Sequence, residues 1–488
     1  MSEPQKHLRS NSIGVLGLVF FVVAAVGPIG AVMGATPLVF MQSGTGASGI
    51  YLLAAVLFAV FSSGYVAMSR YVGTAGGFAT YIARGFDYRT GGAAAYLTLF
   101  MYVVMVTSIY GVFAVFAAQA VQEYLGVSVR WEYFIAITLP IIAILSYTRV
   151  ELSTRILGVL LIAEVFVILV LDFAIVFQGG NGGAPLDFSG FAPHNVFGGG
   201  LGLAFLFGLA SFGGFEATVV FSEEAKDPKR TIPIATYAAV ALIGVFYAFT
   251  TWALGNGAGA ANIQQVATTD PTGFILKITE TYVGKTWAHV ISILAISSFL
   301  GVLLGFTNIL SRYIFSMARV GLLPGFMALT HAKHQSPHRG SVVANVSIAV
   351  IIAGFIVAGA DPFTTLYTYL LALGTVGLLA MLAAASLACV FFFMRNPRSE
   401  SRWSTTIAPL LAFAGFCIAT YLAISNFGFL VGTDSGWRLW LWLILPAVSI
   451  LGYAVATLRG KEAINFRVAE FDTGLAPNAF AEPEHMGV

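Results

Sequence analysis

Charge is what this sequence is short of: 9% of its 488 residues are Asp, Glu, Lys or Arg, while 58% are hydrophobic. A soluble domain carries about 25% charged residues, so the composition excludes one and describes a surface that faces lipid. Cysteine is scarcer still. Cys389 and Cys417 both lie inside apolar runs, read as packing residues and say nothing of redox compartment. The histidines, His7, His194, His289, His331, His334, His338 and His485, fall in termini, loops or the ends of apolar runs. Without metal-ligand or catalytic spacing among them, no enzyme, metal or other cofactor is expected. The net charge of +2 is spread along loops and offers no nucleic-acid footprint. Ten-residue alternation of polar and apolar positions is also missing, which argues against a membrane barrel.

What is present is a series of about twelve apolar runs between residues 13 and 458, each long enough or nearly long enough to cross a bilayer. Backbone in hydrocarbon must satisfy its own hydrogen bonds, so the expectation is an all-α polytopic membrane protein with about twelve transmembrane helices. Positive charge tests the count, because it collects in cytoplasmic loops. With the N-terminus inside, only Arg130, Lys277, Lys285 and Arg438 of the 24 Lys and Arg residues fall outside. Both termini are therefore expected in the cytoplasm. The first apolar run is too long for a signal peptide and is expected to stay as the first helix.

Glycine placement then divides the chain. The first run is interrupted at Gly27-Pro28-Ile29-Gly30-Ala31-Val32-Met33-Gly34-Ala35-Thr36-Pro37, and the sixth at Gly208-Leu209-Ala210-Ser211-Phe212-Gly213-Gly214-Phe215-Glu216. These breaks open corresponding halves of a five-plus-five arrangement, and an odd number of helices per half inverts the second half relative to the first. The expected organisation is a cytoplasmic N-terminus at 1–12, a first five-helix repeat at 13–178 and a second at 198–394. Two further helices at 405–458 and a cytoplasmic tail at 459–488 complete it. An unwound turn at membrane depth frees N–H and C=O groups that must face protein, water or substrate. Half-helix N-termini suit a carboxylate and freed carbonyls an ammonium. The competing reading, that these glycines only permit close helix packing, fits Gly30 and Gly34 taken alone.

Three acids lie within the apolar runs: Glu164 and Asp172 in the fifth and Glu216 in the sixth. A charged group there costs roughly 2.5 to 3.5 kcal/mol, which makes an unpaired carboxyl a candidate to take up and release a proton. Glu164, nearest the middle of its run, is the main candidate for proton coupling or for meeting a cation. The alternative is a neutral carboxyl hydrogen-bonded between helices. Asp172, eight residues on and on the same helical face, reads as an interfacial residue, with an outer-vestibule cation attractor as the alternative. Glu216 either caps the second half-helix or joins the permeation path.

The run Phe207 to Pro233, with Gly214-Phe215-Glu216, the pair Glu223 and Glu224, then Lys226, Asp227, Pro228, Arg230, Ile232 and Pro233, resembles the sixth-helix signature of the amino acid-polyamine-organocation (APC) permeases. Ser311-Arg312 through Ala318-Arg319 to Gly321-Leu322-Leu323-Pro324, followed by His331 and Pro337, resembles that superfamily's loop after the eighth helix. Gly73 to Tyr81 resembles the end of its second. The resemblance implies a LeuT-like fold and alternating access, with a substrate site between the broken first and sixth helices. By position it assigns carboxylate contacts to Val32, Met33, Gly34, Ala35 and Thr36. Amine or side-chain contacts go to Leu209, Ala210, Ser211, Phe212 and Gly213.

Three departures bear on mechanism. Gly34-Ala35-Thr36-Pro37 replaces the frequent Gly-Ser-Gly of the first helix, and Ala210 stands where many members place a bulky aromatic gate, either leaving room or shifting that role to Phe212 or Phe215. Eleven residues after Ser153, where many members carry a lysine, this chain has Glu164. An acid there favours proton coupling over pure exchange. Ser297 and Ser298 could add hydroxyl ligands for sodium, or could bond their own backbone. The expected function is proton-coupled uptake of an amino acid across a bacterial inner membrane. A polyamine or other organic-amine permease and an amino acid exchanger are the alternatives within the class, and a non-transporting membrane sensor or a channel the alternatives outside it.

Overall fold

A helix is the segment that satisfies its own backbone in hydrocarbon, and every named element of this chain is one. The computed structural model describes residues 13–72, 77–148, 154–215, 217–220, 225–331, 336–430 and 436–466. The helices are α1 (Val15–Val26), α2 (Pro28–Ser43), α3 (Ala47–Ser69), α4 (Gly77–Gly85), α5 (Tyr88–Leu125), α6 (Trp131–Thr148) and α7 (Thr154–Gln178). Then come α8 (Pro193–Val196), α9 (Leu201–Ala210), α10 (Ala217–Val220), α11 (Pro228–Ala258), α12 (Ile263–Thr269), α13 (Phe274–Tyr282) and α14 (Lys285–Val320). The last are α15 (His338–Val357), α16 (Thr368–Arg395), α17 (Ala408–Ser425), α18 (Phe427–Leu430) and α19 (Ile444–Ala463). Among the described residues the extended backbone that pairs is a single parallel bridge, Ile13 with Ala225, closed by the Lys226 N–H donating to the Ile13 carbonyl at 2.7 Å.

Ten helical stretches among the described residues are long and apolar enough to cross a membrane. The protein is therefore a multi-pass membrane protein. The first stretch, Val15–Ser69, runs 55 residues, which at 1.5 Å per residue is far longer than the roughly 30 Å hydrocarbon core. It is not straight: the chain reverses at Gly44, at φ 50°, through a 3-10 turn over Gly44–Gly46. Leu201–Ala210, with 10 residues, is apolar but short.

Packing relies on small residues, because lipid removes the hydrophobic drive between helices and leaves close contact to hold them. The α5 to α19 crossing shows this. A methyl group added at Gly92 would stand 2.5 Å from Ala456 Cβ, and one at Gly452 would stand 2.4 Å from the Gly92 carbonyl oxygen. α5 also packs along α14 and α16, so this 38-residue helix forms the spine of the molecule. It starts at a capping box, in which Asp87 accepts from the Thr90 N–H at 2.8 Å while Thr90 Oγ1 accepts from the Asp87 N–H at 3.2 Å.

Candidate substrate and coupling site

The first break is narrower than the sequence suggests. Only Gly27 leaves the helix, at φ 63° and ψ 76°, a left-handed conformation open to glycine. Pro28 then restarts the helix at its first position, where a missing N–H costs nothing. Residues 28–43 are helical throughout, so the expected unwound cradle over 27–37 is a correction: Val32, Met33, Gly34, Ala35 and Thr36 are turns of α2. Pro37 deprives the Met33 carbonyl of its intrahelical donor but does not end the helix. The second break is a true interruption. After α9 the bonds shorten to three-residue spacing, with Phe212 N–H donating to Leu209, Gly213 to Ala210 and Phe215 to Phe212 at 2.9 to 3.2 Å, and Gly214 takes φ 105°.

Between the breaks lies a cavity of about 60 Å³ lined by Gly30, Ala31 and Ala35 of α2, Ala210, Ser211 and Gly213 of the sixth-helix break, and Met105, Phe299, Phe306 and Tyr367 from neighbouring helices. That volume holds a few waters. Of the ten residues assigned by resemblance, Ala35, Ala210, Ser211 and Gly213 line it. Five consecutive residues of a helix cannot face one cavity, since each turns about 100° from the last. Val32 and Met33 are accordingly packed in the core, and Gly34 lies under the Tyr367 hydroxyl. Thr36 Oγ1 meets Tyr51 Oη at 2.8 Å. Leu209 is buried in the core. Phe212 stacks on Phe58 at 4.9 Å, and Phe215 meets the same ring edge-on at 4.8 Å, so both anchor the break to α3.

Two tyrosines escaped the sequence reading. Tyr51 on α3 reaches both breaks at once, holding Thr36 at 2.8 Å and Ser211 Oγ at 3.1 Å, while Ser211 also donates to the Phe207 carbonyl. Tyr367 contributes to the cavity from the turn before α16. Polar aromatics at the middle of apolar runs were the available signal, because a buried Tyr hydroxyl usually finds a partner.

Behind α2 stands the buried carboxyl. Glu164 on α7 is 6% exposed, and its Oε2 accepts from Ser298 Oγ of α14 at 2.8 Å. The Ile29 backbone amide is a further partner of the carboxyl, and the Gly30 N–H donates to Ser298 Oγ at 3.3 Å. The N–H groups freed where α2 restarts thus point at the chain's own carboxyl and serine, as anions and acceptors at helix N-termini do. The sequence paired Ser297 with Ser298, but they differ: Ser297 donates to the Leu294 carbonyl of its own helix at 2.8 Å. Asp172, expected at the interface, is fully buried instead, with Thr250 Oγ1 donating to it at 2.7 Å. Glu216, Glu223, Glu224, Ser153 and residues 73–76 lie outside the described residues.

With the broken helices and their cavity in place, relatives decide the class. A model of the family described as "Amino acid permease" matches residues 13–449. The chain belongs to the amino acid permease family. The permease is 30% identical over 285 residues to the methylthioribose transporter of Bacillus subtilis, covering 58% of this chain and 57% of that one. It is 30% identical over 193 residues to Asc-type amino acid transporter 1 of Mus musculus, covering 38% and 34%. It is 26% identical over 148 residues to cationic amino acid transporter 5 of Arabidopsis thaliana, covering 29% and 24%. The matched part spans just over half the length of the bacterial relative and about a third and a quarter of the other two. These relatives are named as transporters.

Proposed function

We propose that the permease is a secondary active transporter that takes up a small amine-bearing solute, an amino acid above all, by alternating access coupled to protons. The observation that carries the coupling is the line from Glu164 through Ser298 to the Gly30 N–H. A carboxyl in that line is exchangeable between neutral and ionised forms. Its charge bears on the N-terminal turn of the helix that lines the cavity. Protonation would trade an acceptor for a donor toward Ser298 and so alter how α2 is held.

In this reading the chain crosses the membrane twelve times with both termini cytoplasmic. Val15–Ser69 supplies two crossings, and Leu201–Ala210 with Ala217–Val220 forms the broken sixth. The domains are the five-helix repeats 13–178 and 198–394 with 405–458 as accessory helices, in the bacterial inner membrane. Ala35, Ala210, Ser211 and Gly213 would contact solute, with Gly30 and Ala31 in place of Val32, Met33 and Thr36. Ser298 serves Glu164. Sodium has less support, since Ser297 is turned to its own backbone.

A second reading has one specific observation behind it. No charged side chain lines the cavity among the described residues, which suits a neutral solute, and one relative is named for methylthioribose. The same feature weakens the polyamine alternative, which would want a carboxyl there.

Uptake into proteoliposomes under an imposed pH gradient tests the coupling. Glu164→Gln, which keeps an acceptor for Ser298, should abolish gradient-driven accumulation while exchange of solute continues. Unchanged accumulation would remove Glu164 from that role. Competition between amino acids and neutral thioether sugars separates the two solutes.

A further inference from the structure

A second and larger cavity, about 230 Å³, lies between α1, α6, α7 and α14 and includes Ser298 in its lining. Its walls are mostly apolar, with Ile142, Leu145, Leu160, Leu161 and Leu304 among them; Ser297 and Ser298 are the hydroxyls on it and Glu164 the ionisable side chain. Its most exposed wall residue is Ile141, 48% exposed, which shares a face of α6 with Ile137 and Ile144 at 64% and 63%. A run of exposed isoleucines at that spacing on a membrane helix is the face a bilayer covers. The cavity therefore opens toward lipid, not toward either aqueous side.

We infer that this chamber is a second binding site, for a monovalent amine with an apolar tail that enters from the bilayer and sets its ammonium against the Glu164 carboxylate. The chemistry selects the class. A fatty acid or lipid phosphate would bring a second negative charge to the carboxylate. Glu164 is also the eleventh residue of a 25-residue helix, about 15 Å from its N-terminal end and about 21 Å from its C-terminal end, beyond the depth at which headgroups lie. At about 30 Å³ per water-sized group the chamber takes about eight such groups, the size of a hexyl or phenylethyl amine. An intramembrane carboxylate is stabilised by a paired cation, and the ammonium would compete with Ser298 for Oε2.

Ser298 lines the larger cavity and accepts from the N–H of Gly30, which lines the smaller one. An amine that draws Glu164 away from Ser298 would reach the Gly30 turn without entering the solute cavity. This consequence rests on the coupling role proposed above, but the binding itself does not.

The test is thermal stabilisation of the purified full chain by hexylamine, with hexanol as the uncharged probe of matching tail, since a ligand that binds the folded state raises apparent stability. Hexylamine should raise the apparent melting temperature, hexanol should not, and Glu164→Gln should remove the shift. Ile141→Trp, which fills the mouth, should weaken hexylamine binding at least about tenfold, a change of about 1.4 kcal/mol, and leave solute binding unaltered. If that variant does not fold, Leu160→Trp fills the same chamber from α7. Equal stabilisation by hexanol, a shift that survives Glu164→Gln, or indifference to the tryptophan overturns the inference. Accumulation that survives Glu164→Gln while the hexylamine shift is lost defeats the coupling reading and leaves the site standing.

Discussion

Replacing Gly27 by alanine tests whether the first-helix break is required. Alanine at φ 63° would occupy the left-handed region, which costs an L-residue roughly 1–2 kcal/mol. Its Cβ would also stand 2.2 Å from Val302 Cγ2 of α14 and 3.2 Å from Ser298 Oγ. Pushing the valine methyl out to contact distance is an overpacking event of about 1–3 kcal/mol. Together the loss is about 2–5 kcal/mol, split between backbone and side chain. The split is measurable: Val302→Ala in the Gly27→Ala background removes the clashing methyl and should return the side-chain share, leaving the backbone share unrecovered. The assay is the apparent melting temperature of purified protein with gradient-driven uptake beside it. A Gly27→Ala protein as stable and as active as its parent would mean that residue 27 can run helical. The break would then be dispensable and the reasoning refuted.

Tyr51→Phe removes a hydroxyl that meets Thr36 and Ser211 together. It should cost about 1–3 kcal/mol for two buried bonds, and a double-mutant cycle with Ser211→Ala should show coupling between them, whereas additivity would deny the bridge. Asp172→Asn keeps an acceptor for Thr250 and should leave gradient-driven accumulation intact; loss of accumulation would place Asp172 in the coupling route. Asp87→Ala deletes the capping box of α5 and should lower stability by about 0.5–2 kcal/mol. Uptake by the surviving protein should be unchanged, and an unaltered melting temperature would show the cap to be idle.

Sequence reading reached the helical class and the membrane because both follow from local arithmetic: run length, charge scarcity and the demand that buried backbone bond to itself. It also reached Gly27 and, within the 208–216 segment, the turn over 211–215 as interruptions, since glycine and proline act on their own stretch of chain, while Gly208, Leu209 and Ala210 remain helical in α9. Glu164 stood out because an acid in an apolar run needs a reason. Ten stretches rather than twelve meet the crossing criteria in the structure, for a local reason too. One stretch contains a reversal, and another is cut short by its own break.

What sequence could not reach was direction. Whether Val32 or Ala31 faces the cavity depends on the rotation of α2, and that rotation is set where α2 packs on α9 and α14. The close approach at Gly27 is likewise to Val302 and Ser298, residues some 270 positions away in the chain. Ser297 and Ser298 are equivalent as letters, yet one is spent on its own helix and the other joins Glu164 to Gly30. The sequence by itself determined that the chain is helical and enters the membrane, and it marked Gly27 and the 211–215 turn as places where helices break. Only the tertiary structure decided which side chains meet there, because a hydrogen bond between helices requires two surfaces brought into register, and no single segment encodes both.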